Sequence, residues 1–160
     1  MEQRDKGMNK NNIHVLSRAV IIDNGHILLC QTVDLPTNFC FLPGGHVEHG
    51  ESAERAVIRE LLEETGSKCI IQRFLGCLEY SFEPGHSSIC HNHEYNFIYQ
   101  IFSETLKFDS EISKLENHID LVWIPFENLS SIDFRAEPLK MLLTKWLRED
   151  YSEAFKSIMV

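Results

Sequence analysis

Two predominantly apolar blocks lie near the start of the chain, IHVLSRAVIID (13–23) and HILLCQTV (26–33), separated by Asn24-Gly25. Short apolar runs of this kind bounded by a turn signal predict strands, and Asn-Gly between two of them predicts a tight hairpin turn. A short apolar piece, FCFL, then runs into Pro43-Gly44-Gly45. From about Ser52 to Thr65 the spacing becomes helical, and Gly66 stands where a left-handed residue would end the helix. KCIIQRFLGCLEYSF and EYNFIYQIFSE read as long strands on either side of a polar loop from Pro84 to His93, and LVWIP as a further short strand. Within RAEPLKMLLTKWLRE, Leu139, Leu142, Leu143, Trp146 and Leu147 recur at helical spacing and predict a second helix, with the chain to Val160 as its extension.

Strands, helix, strands, helix is the order of an α/β chain of the α+β type, with a mixed sheet between helices. The polar stretch MEQRDKGMNKNN is expected to be a flexible N-terminus (1–12), which leaves 13–160 as a single domain. A chain of 160 residues with 43% hydrophobic positions suits one self-contained core. No apolar run approaches the roughly 18–20 residues that cross a bilayer, and the start lacks the apolar core of a signal peptide. The expected location is therefore cytoplasmic. Five cysteines, an odd number without CxxC spacing, fit free thiols.

The formal charge of −9 argues against membrane surfaces and bulk nucleic acid as partners, because either needs a Lys/Arg footprint. A small anionic substrate stays open if a bound cation reverses the local sign. On the first helix Glu60, Glu63 and Glu64 stand at i, i+3 and i+4, within one turn of one face. Such like charges repel one another and, near a helix C-terminus, oppose the macrodipole. Arg59 relieves this only in part. A solvated acidic face is one reading of the cluster. The other is an oxygen-ligand site for Mg²⁺ or Mn²⁺, which the glycines just before the helix favour by letting backbone approach closely.

Gly45, five residues, Glu51, seven residues and then Arg59-Glu60-Leu61-Leu62-Glu63-Glu64-Thr65-Gly66 resembles the Nudix box, the signature of the Nudix hydrolase family. Every fixed position of G-x5-E-x7-R-E-U-x-E-E-x-G-U matches except the last, where Ser67 replaces a bulky aliphatic; Cys69 and Ile70 are the candidates to fill that space. The resemblance implies a Nudix-like α/β/α sandwich around a mixed β-sheet. It implies Mg²⁺ (or Mn²⁺) held by Glu60, Glu63, Glu64 and the Gly44 carbonyl, with Arg59 restraining the glutamates and Glu51 supporting the loop. It also implies hydrolysis of a diphosphate in a nucleoside diphosphate linked to another moiety, by water attack at phosphorus. A box glutamate or Glu94, in HNHEYNF beyond the polar loop, is the candidate general base, with Glu79 and Glu83 behind it.

Two alternatives share that fold: a non-catalytic nucleotide-binding regulatory module, and an RNA 5′-end pyrophosphohydrolase. The intact box carboxylates weigh against the first and the acidic charge against the second. His86, Cys90, His91 and His93 crowd one loop, but ligands so close in sequence rarely close a zinc tetrahedron, so a polar loop or a substrate contact is the expectation. His46 and His49 could touch phosphate, although solvated loop positions suit them as well. Phe39, Phe41, Phe82, Tyr95 and Tyr99 flank the expected pocket, and no single ring is assigned to a base. The family's members often pair, so a homodimer is left open.

Overall fold

The computed structural model describes residues 12–83, 92–113 and 115–160. Strand β1 (Ile13–Val20) leads into a hairpin of β2 (Ile22–Asp23) and β3 (His26–Thr32), closed by Asn24 and Gly25 at φ 47° and 73°. Both turn residues are left-handed, as the Asn-Gly pair predicts. Then follow β4 (Cys40–Phe41), β5 (Gly44–His46) and helix α1 (Ala53–Thr65). The Ser52 hydroxyl caps α1 by accepting from the Arg55 amide at 3.1 Å, and Gly66 ends it at φ 69°. The second half is β6 (Ile70–Ser81), β7 (His93–Phe102), β8 (Ile119–Pro125), a 3-10 turn at Phe126–Ser131, β9 (Phe134–Arg135), α2 (Leu139–Leu147) and β10 (Phe155–Ile158).

Two mixed sheets result. One has the order β10-β6-β7-β1-β5, with β1 parallel to β7 and β10 parallel to β6. In the other, β3 pairs antiparallel with β2, β4 and β8, and β9 runs parallel to β4. Alternate residues of β1 serve two cores, as the pleat requires. Ala19 packs with Val57 and Leu61 of α1, together with Tyr99 and Ile101 of β7. Val20 packs with Leu142, Leu143 and Trp146 of α2, together with Leu75, Leu78 and Ile98. Helix layers therefore lie on both faces, which is the α/β/α sandwich.

The second helix is shorter than expected. It stops at Leu147, Glu149 turns the chain at φ 62°, and the expected helical extension is instead strand β10, paired to β6. Trp146 anchors the turn: its ring lies against Gly76, where a Cβ would collide with it, and its Nε1–H donates to the Glu153 carbonyl at 3.1 Å. Beyond the box, Cys69 packs against the α1 core, whereas Ile70 is 66% exposed and fills nothing. Period two places these neighbours on opposite faces. Among the described residues, no helix is long and apolar enough to cross a membrane.

Candidate functional site

The glycines just before the helix form strand β5, hydrogen-bonded to β1 with Gly44 opposite Arg18 and Gly45 opposite Ser17. Gly44 has φ 127°, and a Cβ there would run into the Ser17 carbonyl; a Cβ on Gly45 would run into the Glu60 carboxylate. Both positions therefore require glycine, the first for its backbone angle as well as for space. The strand can lie this close to α1 only because it carries no side chains there.

Glu64 is 5% exposed and accepts a hydrogen bond from the Gly44 amide at 3.1 Å. Burial pushes its carboxyl up to about 8, with the Gly44 amide and Arg18 working in the opposite direction. Glu60 faces the same strand through Gly45. Glu63 does not converge with them: its side chain is 55% exposed, and its oxygens lie 3.4 Å from Arg59 Nη1.

Arg59 fastens the helix to the loop before it. Its Nε and Nη2 grip the two Glu51 oxygens at 2.8 and 3.0 Å, Nη1 donates to Glu60 at 2.9 Å, and Nη2 also reaches the His46 carbonyl at 3.0 Å. The fork geometry suits a guanidinium and would not suit a lysine. Glu51 in turn accepts from the Glu48 amide at 3.1 Å, so one arginine and one glutamate fold the loop back onto α1. The Arg59 hydrogen bonds, reinforced by the Glu48 amide, hold the Glu51 carboxyl below its ordinary range.

Among the described residues, no three Asp, Glu, His or Cys side chains are gathered tightly enough to hold a metal as they stand. The donor chemistry nevertheless fits a hard divalent cation. Glu60, Glu64 and the Gly44 carbonyl all offer oxygens, and the missing Cβ of Gly45 lets the Glu60 carboxylate lie directly against the strand that carries that carbonyl.

Next to this junction opens a cleft of about 770 Å³. Phe39, Phe41, Phe82 and Tyr80 give it aromatic walls, and Glu94 and Asn96 give it polar ones. Glu94 is 9% exposed and accepts from the Asn96 amide at 2.9 Å, and Glu83 lies at the cleft as well. Glu79 sits elsewhere, bound to the Tyr95 hydroxyl at 2.8 Å and to His93 at 3.3 Å. Strand alternation places it on the face of β6 opposite to Tyr80, so it is no neighbour of the cleft.

Of the flanking aromatics, Phe39, Phe41 and Phe82 reach the cleft, while Tyr99 belongs to the α1 core. His46 bonds His14 at 2.8 Å, and His49 is exposed. His86, Cys90 and His91 lie outside the described residues. Several residues with polar groups at the cleft went unrecognised in the sequence, Arg18, Asn96 and Arg135 among them. Arg18 carried a usable signal, as the one Lys or Arg between Ile13 and Ile22. Asn96 and Arg135 sit in ordinary polar contexts and carried none.

Comparison with known proteins agrees with this arrangement. The model of the NUDIX domain matches residues 13–146. An ADP-ribose pyrophosphatase of Methanocaldococcus jannaschii is 31% identical over 129 residues, covering 80% of this chain and 71% of that protein. Nucleoside triphosphatase NudI of Escherichia fergusonii is 30% identical over 136 residues, covering 80% of this chain and 93% of that protein. Among solved structures, a NUDIX hydrolase from Nitrosomonas europaea superposes with a TM-score of 0.68 at 21% identity, over 87% of this chain and 91% of that one. A domain match across most of the chain, two relatives aligned over four-fifths of it and the shared fold lead to one conclusion: this chain belongs to the Nudix hydrolase family.

Proposed function

We propose that the chain hydrolyses the pyrophosphate bond of a nucleoside diphosphate linked to a second moiety, with Mg²⁺ or Mn²⁺ as its cation. The observation that carries this reading is the junction of Glu60 and Glu64 with the Gly44–Gly45 strand, set beside a cleft with aromatic and polar walls. Family membership makes the chain an enzyme of pyrophosphate bonds. A relative named for ADP-ribose and another named for nucleoside triphosphates share a nucleoside diphosphate unit, which supports that unit as the substrate class.

Glu60 and Glu64, with Glu63 turning inward from the surface and the Gly44 carbonyl beside them, would hold the cation. When bound, it supplies positive charge against the anionic diphosphate oxygens and acidifies water. Arg59, tied to Glu51, keeps Glu60 and Glu63 aimed despite their mutual repulsion. Glu94 accepts the proton of the attacking water from the cleft side, where Asn96 orients its carboxylate. The water oxygen joins one phosphorus, and the bridging oxygen leaves with the other, giving two phosphate-bearing products. The aromatic walls offer a stacking surface to the base.

The test is a panel of nucleoside triphosphates, ADP-ribose, nucleotide sugars and other diphosphates, incubated with Mg²⁺ or Mn²⁺ and with products identified. At least one is expected to be cleaved at its pyrophosphate, and the activity is expected to vanish in excess EDTA. Full activity in EDTA, or no cleavage across the panel, would overturn the proposal.

A further inference from the structure

Arg18 is the unusual residue of β1. It sits between Ser17 and Ala19, both fully buried, and projects on the same side as Leu16 and Val20. Its Nη1 donates to two backbone carbonyls, Leu42 at 3.2 Å and Gly44 at 3.0 Å, which uses both of that nitrogen's protons. A guanidinium carries three further N–H groups, on Nε and Nη2. Among the described residues these make no hydrogen bond, and Arg18 forms no ion pair. Its guanidinium carbon lies 5.6 Å from the centroid of the Phe41 ring, and the residue lines the cleft.

A half-buried cation with part of its fork unused is an incomplete arrangement, and an anion in the cleft completes it. Arg135, the other arginine at the cleft, contrasts with it: Nε and Nη2 are already taken by Asp133 at 3.0 and 3.3 Å. Arg18 is also fixed in place, because Gly44, which it holds, is the residue whose amide binds Glu64. Arg18 therefore lines the cleft while it holds the strand residue that meets Glu64, beside the carboxylate junction where a diphosphate would be cleaved.

We propose that Arg18 is a phosphate-binding residue, which uses Nε–H and Nη2–H to grip a phosphoryl oxygen pair of the substrate while Nη1 keeps the Gly44 and Leu42 carbonyls in position. The ligand class is a phosphoryl or pyrophosphoryl anion lying between the cleft and the box. This deepens the hydrolase reading, on which the choice of anion rests. It also gives a chain of net charge −9 a defined positive contact for an anionic substrate.

Inorganic pyrophosphate, titrated calorimetrically into the full chain with Mg²⁺ and again in EDTA, tests it without any need for turnover. Charge-assisted hydrogen bonds of this kind correspond to roughly a 10- to 100-fold change in affinity. Arg18→Ala is expected to bind pyrophosphate at least about 10-fold more weakly than the wild type in whichever buffer shows binding. Arg18→Lys is expected to recover only part of that, since it restores the charge but not the fork. Thermal melts of both variants establish that they are folded, and the lysine variant carries the test if the alanine variant is not. Equal affinity in wild type and Arg18→Ala overturns the proposal, as does full recovery by lysine or a wild type that binds no pyrophosphate in either buffer. The hydrolase reading fails separately. Arg18-dependent binding in a wild type that cleaves nothing would remove that reading and leave the anion site standing.

Discussion

At the scale of single residues, Glu64 joins two demands that ordinarily conflict. A carboxylate buried to 5% exposure destabilises the fold unless something compensates it, and a single amide at 3.1 Å does so only in part. Its retention suits a ligand for a cation better than a structural role. Glu64→Gln keeps the shape and an acceptor oxygen for the Gly44 amide while removing a buried group that must ionise to serve a cation. In EDTA the variant is expected to melt no lower than wild type, with a gain of at most about 1 kcal/mol. With saturating Mg²⁺ its turnover is expected to fall at least ~100-fold, because an amide oxygen serves a divalent cation poorly. Wild-type turnover would remove Glu64 from the ligand set, and a collapse of the metal-free melt would show that the carboxylate is structural. The glutamate triplet and the glycine pair were both visible in the sequence, since spacing alone puts the carboxylates on one turn. That Glu63 points to solvent while Glu64 is buried was not visible, because it depends on how tightly β5 lies against α1. Arg18 escaped for a related reason: a lone arginine in an apolar strand was visible, but its role comes from the β1–β5 register, which is not local.

At the scale of elements, the hairpin, α1 and the long strands β6 and β7 were legible because their signals are local. Asn24-Gly25, Ser52 and Gly66 act through turn and cap geometry within a few residues. The two short strands β5 and β10 were not legible, and for one cause. β5 is two glycines and a histidine, with little strand propensity, and exists through its pairing with β1, Arg18 opposite Gly44 and Leu16 opposite His46. β10 is four residues, FKSI, too short to show alternation, and it pairs in parallel with a strand some 80 residues away. What holds β10 near α2 is Glu153, which pairs with Lys145 on the helix and with Lys156 on the strand. These two lysines lower its carboxyl to about 2. A lowered acid stabilises the fold above its unfolded value, near 4.5, and that contribution fades as pH falls through about 2. Glu153→Gln is therefore expected to melt below wild type at neutral pH, with the gap closing between pH 4.5 and 2. A gap that persisted unchanged at the acid end would mean that the ion pairs are not what tethers the strand.

At the scale of the whole molecule, the acidic balance and the carboxylate junction together predict how the fold answers to cations. The net charge of −9 is a general repulsion that any salt screens. The junction is specific: Glu60 and Glu64 converge on β5 between the α1 layer and the sheet, so an ion there would bridge two parts of the sandwich. Binding only to the folded state adds RT ln(1 + [L]/Kd), about 2.7 kcal/mol at a hundredfold excess over Kd. For a domain of this length that corresponds to a Tm rise of roughly 5–10 °C. Mg²⁺ is expected to raise the melting temperature by that order, while NaCl of matched ionic strength, which only screens, is expected to raise it far less. Glu64→Gln separates the two effects again, because it leaves the surface charge almost unchanged and removes one arm of the junction. Its melt is expected to respond to NaCl as wild type does and to lose most of the Mg²⁺ increment. If Mg²⁺ and matched NaCl shift the wild type equally, the junction holds no cation and the acidic helix is a solvated face. If the variant keeps the full Mg²⁺ increment, the cation binds elsewhere on the acidic surface.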